Sequence, residues 1–289
     1  MEENRKKAQK EMAERKKKIA QNIEKIDHTV VVMSGKGGVG KSTVAANLAA
    51  ELAMRDFQVG LLDCDMHGPS IPKIVGISYE ERPGGSESSI EPISTDYGLK
   101  VISLGSMLPE KDSPVVWRGP LKMRTIQQFL GDVEWGNLDY LVFDLPPGTG
   151  DEPLSIAQLI PDPDGAVIVT TPQEVALQTI RRSVNFAEKV DLPVLGLVEN
   201  MSGFVCPHCG EEVNIFRSGG GEDLSDELDI PFLGRIPLDG KIVESGEEGR
   251  PIVLEESNDA SKAFKDIVAE MKNSLKKGSK DTSRQEEDK

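Results

Sequence analysis

Cysteine is scarce in this sequence: three in 289 residues, two of them close together. That excludes a secreted disulfide framework. No apolar run approaches the roughly 20 residues of a membrane-spanning helix. The first residues are charged rather than apolar, which reads as no signal peptide. Positive charge is also short. Thirty-four Lys and Arg stand against 49 Asp and Glu, a formal net charge of −15. That argues against general nucleic-acid binding through the globular body. No internal repeat is visible. The expectation is a cytoplasmic protein with neither nucleic acid nor membrane as a partner. Its length allows one α/β domain with appendages or two small domains, and is ample for a sizeable core.

What is present is a phosphate-cradling loop. Gly35-Lys36-Gly37-Gly38-Val39-Gly40-Lys41-Ser42 fits G-x-x-x-x-G-K-[ST] without a mismatch. The apolar, β-branched run Thr29–Met33 before it reads as a strand buried on both faces. Val44–Ala53 after it is rich in helix formers. Glycines let successive N–H groups turn inward toward phosphate oxygens, and the helix start adds a positive dipole end. The nucleotide-binding set is therefore Gly35 to Thr43. Lys41 is expected to reach the β- and γ-phosphates, and the Ser42 hydroxyl to ligate Mg²⁺. A second lysine, Lys36, directly follows the first glycine.

Strand and helix then alternate. Gln58–Asp63, Leu99–Leu104, Leu138–Asp144, Ala166–Thr170, Val194–Val198 and Phe232–Ile236 read as strands. Helices are expected from Pro120 to about Leu130, from about Glu174 to Lys189 and from Asp259 to about Leu275. This pattern predicts an α/β fold, a mostly parallel sheet with helices on both faces. Residues 1–27 read as a charged arm, either a solvated helix or a flexible segment. Residues 28–275 form the P-loop ATPase domain, with a C-x-x-C segment inserted at 206–209. Residues 276–289 read as a disordered polar tail, and Ser78–Ser94 as loop.

In open α/β sheets, ligands bind beyond the carboxyl ends of the strands. Two expected strands end there in acids, opening the segments Asp63-Cys64-Asp65 and Asp144-Leu145-Pro146-Pro147-Gly148. Asp63 and Asp144 are placed to hold Mg²⁺ beside the phosphates. Asp65 is a candidate to position the attacking water. Gly148 is a candidate to offer its N–H to the γ-phosphate and so sense hydrolysis. Lys36, Lys41 and Asp65 are the catalytic candidates. Cys64 reads as a small buried apolar residue.

Cys206-Pro207-His208-Cys209 admits three readings from spacing: a redox disulfide, structural zinc, or a metal or iron–sulfur site shared between two chains. The residues after Cys209 do not resemble a helix start, and no second C-x-x-C completes a zinc set. Spacing ranks the shared site first, because two copies supply four thiolates about a two-fold axis.

Taken together, these motifs, with Trp117-Arg118-Gly119-Pro120, Asp63–Ser70, Asp144–Asp151 and Glu199-Asn200-Met201-Ser202, resemble the Mrp (ApbC-like) iron–sulfur cluster carrier ATPases. These sit in the deviant-Walker-A group with division-site and plasmid-partition ATPases and the nitrogenase iron protein. The match runs from about His28 to Lys272. The resemblance implies a homodimer, with Lys36 contacting the partner subunit's nucleotide and Asn200 recognising adenine. It implies a [4Fe–4S] cluster bridging the chains on Cys206 and Cys209. It further implies slow ATP hydrolysis coupled to cluster delivery, with apoproteins and scaffold proteins as partners. ATP, Mg²⁺ and the cluster are the expected cofactors. Cys64 departs from the small residue usual in relatives. Two other readings of the same loop are a spatial switch needing an amphipathic anchor, and an electron-transfer ATPase.

Overall fold

The computed structural model describes residues 2–65, 68–78, 80–86, 89–107, 119–206, 208–213, 215–256 and 258–287. Met66, His67, Trp117, Arg118 and Pro207, all within motifs noted above, lie outside the described residues.

Helix α1 (Glu2–Ile23) precedes strand β1 (Ile26–Met33), then α2 (Lys41–Met54), β2 (Val59–Asp63) and the short α3 (Ile71–Ile74). A small hairpin, β3 (Gly84–Ser86) and β4 (Ser89–Glu91), leads to β5 (Ile93–Ser94) and β6 (Leu99–Ser103). The alternation continues with α4 (Gly119–Asp132), β7 (Leu138–Asp144), α5 (Asp151–Ala157), β8 (Gly165–Thr170), α6 (Glu174–Lys189) and β9 (Val194–Glu199). A second hairpin, β10 (Phe204–Val205) and β11 (Glu212–Val213), is followed by α7 (Gly220–Glu227), β12 (Phe232–Arg235), α8 (Gly240–Glu247) and α9 (Asp259–Glu287).

Eight strands form one sheet in the order β12-β9-β8-β1-β7-β2-β6-β5. All neighbours are parallel except the edge strand β5, which runs against β6. β1 lies between β8 and β7, where the winding reverses, so the loop after it opens into the crevice at the switch point. The strands are apolar on both faces because both faces are covered. Val30, Val32, Tyr140, Val142, Val167 and Val169 pack on the side of α2 and α9. Val31, Met33, Leu141, Phe143, Ala166 and Ile168 pack on the other, with Phe129 and Trp135. α2 is buried nearly all round. Its alanines at 45, 46, 49, 50 and 53 let it lie close between the sheet and α9.

Two terminal expectations are corrected. The N-terminal arm is neither free nor wholly solvated. Ile19 and Ile23 enter the core, and the Asn22 amide donates to the Leu130 and Val133 carbonyls at 2.9 and 2.8 Å. Those carbonyls lie at and just past the C-terminal end of α4, where helical partners run out. Lys18 adds an ion pair to Asp132 at 2.6 Å. At the other end α9 does not stop near Leu275 but stays helical to Glu287. The extension is polar but free of proline and rich in helix-favouring Lys, Gln and Glu. Part of Ser78–Ser94 is strand rather than loop.

At the end of the strands opposite the P-loop, Asp164 ties β8 to β1. Its Oδ2 accepts the Thr29 N–H at 2.7 Å, and its Oδ1 faces His28 Nδ1 at 3.3 Å. Burial pushes the Asp164 carboxyl up, but the His28 and Thr29 hydrogen bonds and the His28 charge outweigh it and hold the carboxyl below its usual value. The Asp164 hydrogen bond raises His28 against the smaller effect of burial. The His28 contribution is complete below 6.5 and is lost as pH rises through its raised pKa. The Asp164 contribution is present above 3.8 and is lost as pH falls through its lowered pKa. Both groups are about one-third exposed, so the pair's charge term is modest. Asp164→Asn is expected to cost about 1–2 kcal/mol. Urea unfolding would show a larger deficit near pH 5.5, where both partners are charged, than at alkaline pH, where His28 has lost its proton.

Candidate functional site

The loop between β1 and α2 carries left-handed glycines at Gly38 (φ 80°) and Gly40 (φ 82°). Gly40 is the N-cap of α2, and no side chain caps that end. The first amides of α2 are thus available to an anion. Gly35 is required for a second reason. A Cβ there would stand 2.5 Å from Thr179 Oγ1 and 2.8 Å from Ser183 Oγ, so the loop is pressed against α6.

Lys41 Nζ and Ser42 Oγ both reach Asp144, at 2.6 Å each, one on either carboxylate oxygen. Lys41 is buried and Asp144 wholly so. Burial raises the Asp144 pKa, and Lys41 pulls against that rise. Asp63 is also wholly buried. Its oxygens accept from Ser103 Oγ at 2.7 Å and from the Asp65 N–H at 3.0 Å. Burial, then the Asp144 charge, pushes it up to about 8. Asp63 therefore props the Asp65 turn, while Asp65 itself lines a cleft over the glycine-rich loop. That cleft, about 210 Å³, is bounded also by Lys36, Gly38, Lys41, Ser42 and Thr43. The Gly148 N–H donates to the Ser34 carbonyl at 2.8 Å. Cys64 is buried in the core, and burial followed by the nearby Asp63 and Asp144 charges holds its thiol well above the usual range.

A second cleft, about 350 Å³, opens beside the first and shares Gly40, Thr43 and Ser70 with it. Met201, Pro237, Leu238 and Ile242 give it apolar walls, and Asn200 lines it. The Asn200 amide donates to the Val39 carbonyl at 2.9 Å. A Cβ on Gly40 would lie 2.2 Å from Asn200 Nδ2, so only glycine admits this contact. Sequence reasoning did not single out residues 237–242. They lie after β12, distant in the chain, and the Pro-Leu-Asp before a helix reads locally only as a cap. The Asp239 side chain does cap α8, accepting from the Lys241 N–H at 2.9 Å.

Cys206 and Cys209 lie apart from these clefts, on the loop joining β10 to β11. The Gly210 N–H donates to the Cys206 carbonyl and the Cys206 N–H to the Glu211 carbonyl, each at 2.9 Å. With Gly210 at φ 73°, this makes a tight turn. Cys209 is exposed and Cys206 partly so. Hydrogen bonds from the Cys209 and His208 amides, then the Cys209 side chain, hold the Cys206 thiol below its usual pKa. Among the described residues no group of three or more His, Cys, Asp and Glu is arranged to hold a metal.

The chain resembles proteins of known name along most of its length. Residues 25–272 match the family model ParA, described as NUBPL iron-transfer P-loop NTPase. The iron–sulfur cluster carrier protein of Methanocaldococcus jannaschii is 51% identical over 257 residues, 89% of this chain and 88% of the relative. The cytosolic Fe–S cluster assembly factor CFD1 of Saccharomyces cerevisiae is 49% identical over 231 residues, 78% of each chain. A nucleotide-binding protein of Archaeoglobus fulgidus, solved with ADP, superposes with TM-score 0.74 at 41% identity, covering 83% of this chain and 94% of its own. The cell-division ATPase MinD of Pyrococcus furiosus, at 23% identity and TM-score 0.65 over 86% of this chain and 99% of its own, shares the fold. The chain therefore belongs to the ParA family of NUBPL iron-transfer P-loop NTPases.

Proposed function

We propose that this chain binds and hydrolyses ATP and carries an iron–sulfur cluster, held at the interface of a homodimer, to target apoproteins. The Cys206–Cys209 turn is the observation that carries this reading. It presents two thiols at a surface hairpin, half the four ligands of a [4Fe–4S] cluster. A second copy about a two-fold axis supplies the rest. Val205, Val213 and Ile215 beside the turn are 57%, 44% and 52% exposed, an apolar surface suited to that partner. The names of the two relatives, a cluster carrier and a cluster assembly factor, support the same cargo.

The triphosphate would lie along Gly35 to Thr43, with the base in the apolar cleft beside Asn200. The Archaeoglobus relative was solved with ADP, which supports nucleotide binding by this chain. Lys41 would exchange the Asp144 carboxylate for phosphate oxygens, keeping its charge paired throughout. Ser42 and Asp144 offer the hard oxygen donors that Mg²⁺ takes, with Asp63 behind them. A bound Mg²⁺ would neutralise charge on the phosphates. Asp65 would orient the attacking water. The Gly148 N–H would leave the Ser34 carbonyl for the γ-phosphate and return on its loss, giving the nucleotide state a two-position readout. Lys36 is exposed and makes no ion pair among the described residues, so it is available to the partner's nucleotide. The spatial-switch reading needs a free amphipathic anchor. The apolar face of α9, with Phe264, Ile267, Val268 and Met271, is buried in the core instead.

Anaerobic reconstitution with iron and sulfide tests the proposal. About four iron and four sulfide per dimer are expected, with transfer to an apo-enzyme faster in ATP than without it. Lys36→Ala should slow both turnover and transfer. A protein that takes up no iron would refute the carrier reading. Transfer indifferent to ATP would refute the coupling.

A further inference from the structure

β9 ends at Glu199, whose side chain is wholly buried. Its Oε1 accepts from Ser202 Oγ at 2.5 Å and the Gly219 N–H at 2.8 Å; its Oε2 accepts from the Gly221 N–H at 2.5 Å. Arg235 Nε stands 3.8 Å from Oε1. Ser202 lies on the chain as it leaves for the cysteine hairpin. Gly219 and Gly221 lie where it returns into α7. One carboxylate therefore pins both roots of the segment that carries Cys206 and Cys209. The local glycines permit it: Gly219 sits at φ 88°, and a Cβ on Gly221 would stand 2.8 Å from Glu199 Oε2.

The neighbouring residue faces the nucleotide. Asn200 holds the P-loop through the Val39 carbonyl. The same strand end meets the wall of the base cleft. The Ser202 N–H donates to the Ile236 carbonyl, and the Leu238 N–H to the Gly203 carbonyl, each at 2.9 Å. Leu238 lines that cleft. Met201, between the two side chains, is held at φ 57°, a left-handed angle unusual for a non-glycine residue. P-loop, base cleft and hairpin roots thus converge on residues 199–203, with Phe204 and Val205 leading directly to Cys206.

Resting on the carrier reading above, we propose that Glu199 is a positioning residue that transmits nucleotide occupancy to the Cys206–Cys209 turn. Nucleotide that presses on Asn200 or Leu238 shifts residues 200–203. Because Glu199 clamps the outgoing and returning strands together, the hairpin moves as one body rather than absorbing the shift at its root. The clamp needs a carboxylate. Every partner is a donor, so an amide would turn its own N–H₂ toward an N–H or a guanidinium. Glu199→Gln preserves size and breaks the clamp.

The test is hydrogen exchange over residues 203–213 in the full-length, metal-free protein, with and without a non-hydrolysable ATP analogue and Mg²⁺. In the wild type the analogue is expected to change exchange there by about fivefold or more. In Glu199→Gln the change should shrink to within about twofold of none, while analogue affinity changes by no more than about the fivefold coupling that is lost, because linkage is reciprocal. Ser202→Ala, which removes one donor and leaves both glycine contacts, should give an intermediate change, and it decides the matter if Glu199→Gln does not fold. A nucleotide effect equal in wild type and variants overturns the proposal, as does a wild type with no effect. The readout needs no cluster. A wild type that responds to nucleotide but takes up no iron would refute the carrier reading and leave the Glu199 coupling standing.

Discussion

Lys41→Met is expected to reduce ATP turnover by at least about 100-fold, the scale seen when one preorganised charge at developing negative oxygens is removed. It should also destabilise the nucleotide-free protein, for a reason specific to this site. Lys41 Nζ lies 2.6 Å from a wholly buried Asp144 carboxylate. Removing one partner of such a pair typically costs about 3–5 kcal/mol, because the other charge is left without compensation. Asp144 can escape part of that by taking a proton. Burial already raises its pKa, and Lys41 is the chief opposing influence. Without Lys41 the folded pKa rises further above the unfolded value. A raised carboxyl pKa means that the folded state binds the proton more tightly, so stability falls as pH climbs above the unfolded value. The deficit of Lys41→Met in urea unfolding should therefore grow from about pH 5 to about pH 8. Lys41→Met with Asp144→Asn removes both charges. It should recover most of the stability and none of the turnover. A single variant as stable as wild type near pH 8 would show that the contact is not a buried ion pair. Turnover within about tenfold of wild type would show that Lys41 does not meet the phosphates.

What the chain order made readable was local. The strand, loop and helix around Gly35–Ser42 are contiguous, and the central strands of the sheet declare themselves by runs buried on both faces, which the short edge strand β5 does not have. β7 over Leu138–Asp144 and α6 over Glu174–Lys189 were legible to the residue. Pairings over long separations were not. The Ile19, Asn22, Ile23 stripe of α1 is three residues in a field of lysines and glutamates, and its meaning lies in two carbonyls of a distant helix. Asp63 reads as a metal ligand because strand-end acids usually face the crevice, and its second partner is not visible in the chain order. Ser103, from the neighbouring strand, donates to one of its oxygens. Glu199 appeared only as part of a resemblance. Nothing local marks the glycines it binds, and Arg235 reads only as a residue of the expected strand Phe232–Ile236. The cleft proposed for the base is lined by four separate segments, around residues 40, 70, 200 and 240. In each case the missing information was which distant polar group would satisfy a buried one.

Replacing Cys206 and Cys209 together by serine should take iron from about four per dimer to near zero, since all four thiolates of the proposed cluster come from this pair. The fold should tolerate it. Both residues lie on an exposed turn closed by backbone hydrogen bonds, so stability should shift by no more than about 0.5 kcal/mol. Nucleotide binding should stay close to wild type, because neither cysteine lines the clefts. The stronger experiment uses mixed dimers. If each chain held its own metal, a dimer of one wild-type and one doubly substituted chain would keep half of it. If the site bridges the two-fold axis, such a dimer retains two thiolates where four are needed and should hold almost none. Zinc must be counted beside iron, because the same thiolates suit both metals. The bridging prediction is the same for either. A doubly substituted homodimer that still carried a full cluster would place the ligands elsewhere and end the carrier assignment for this turn. Half retention in the mixed dimer would keep the metal and remove the shared axis. With it would go the reason for the exposed Val205, Val213 and Ile215 to face a second copy.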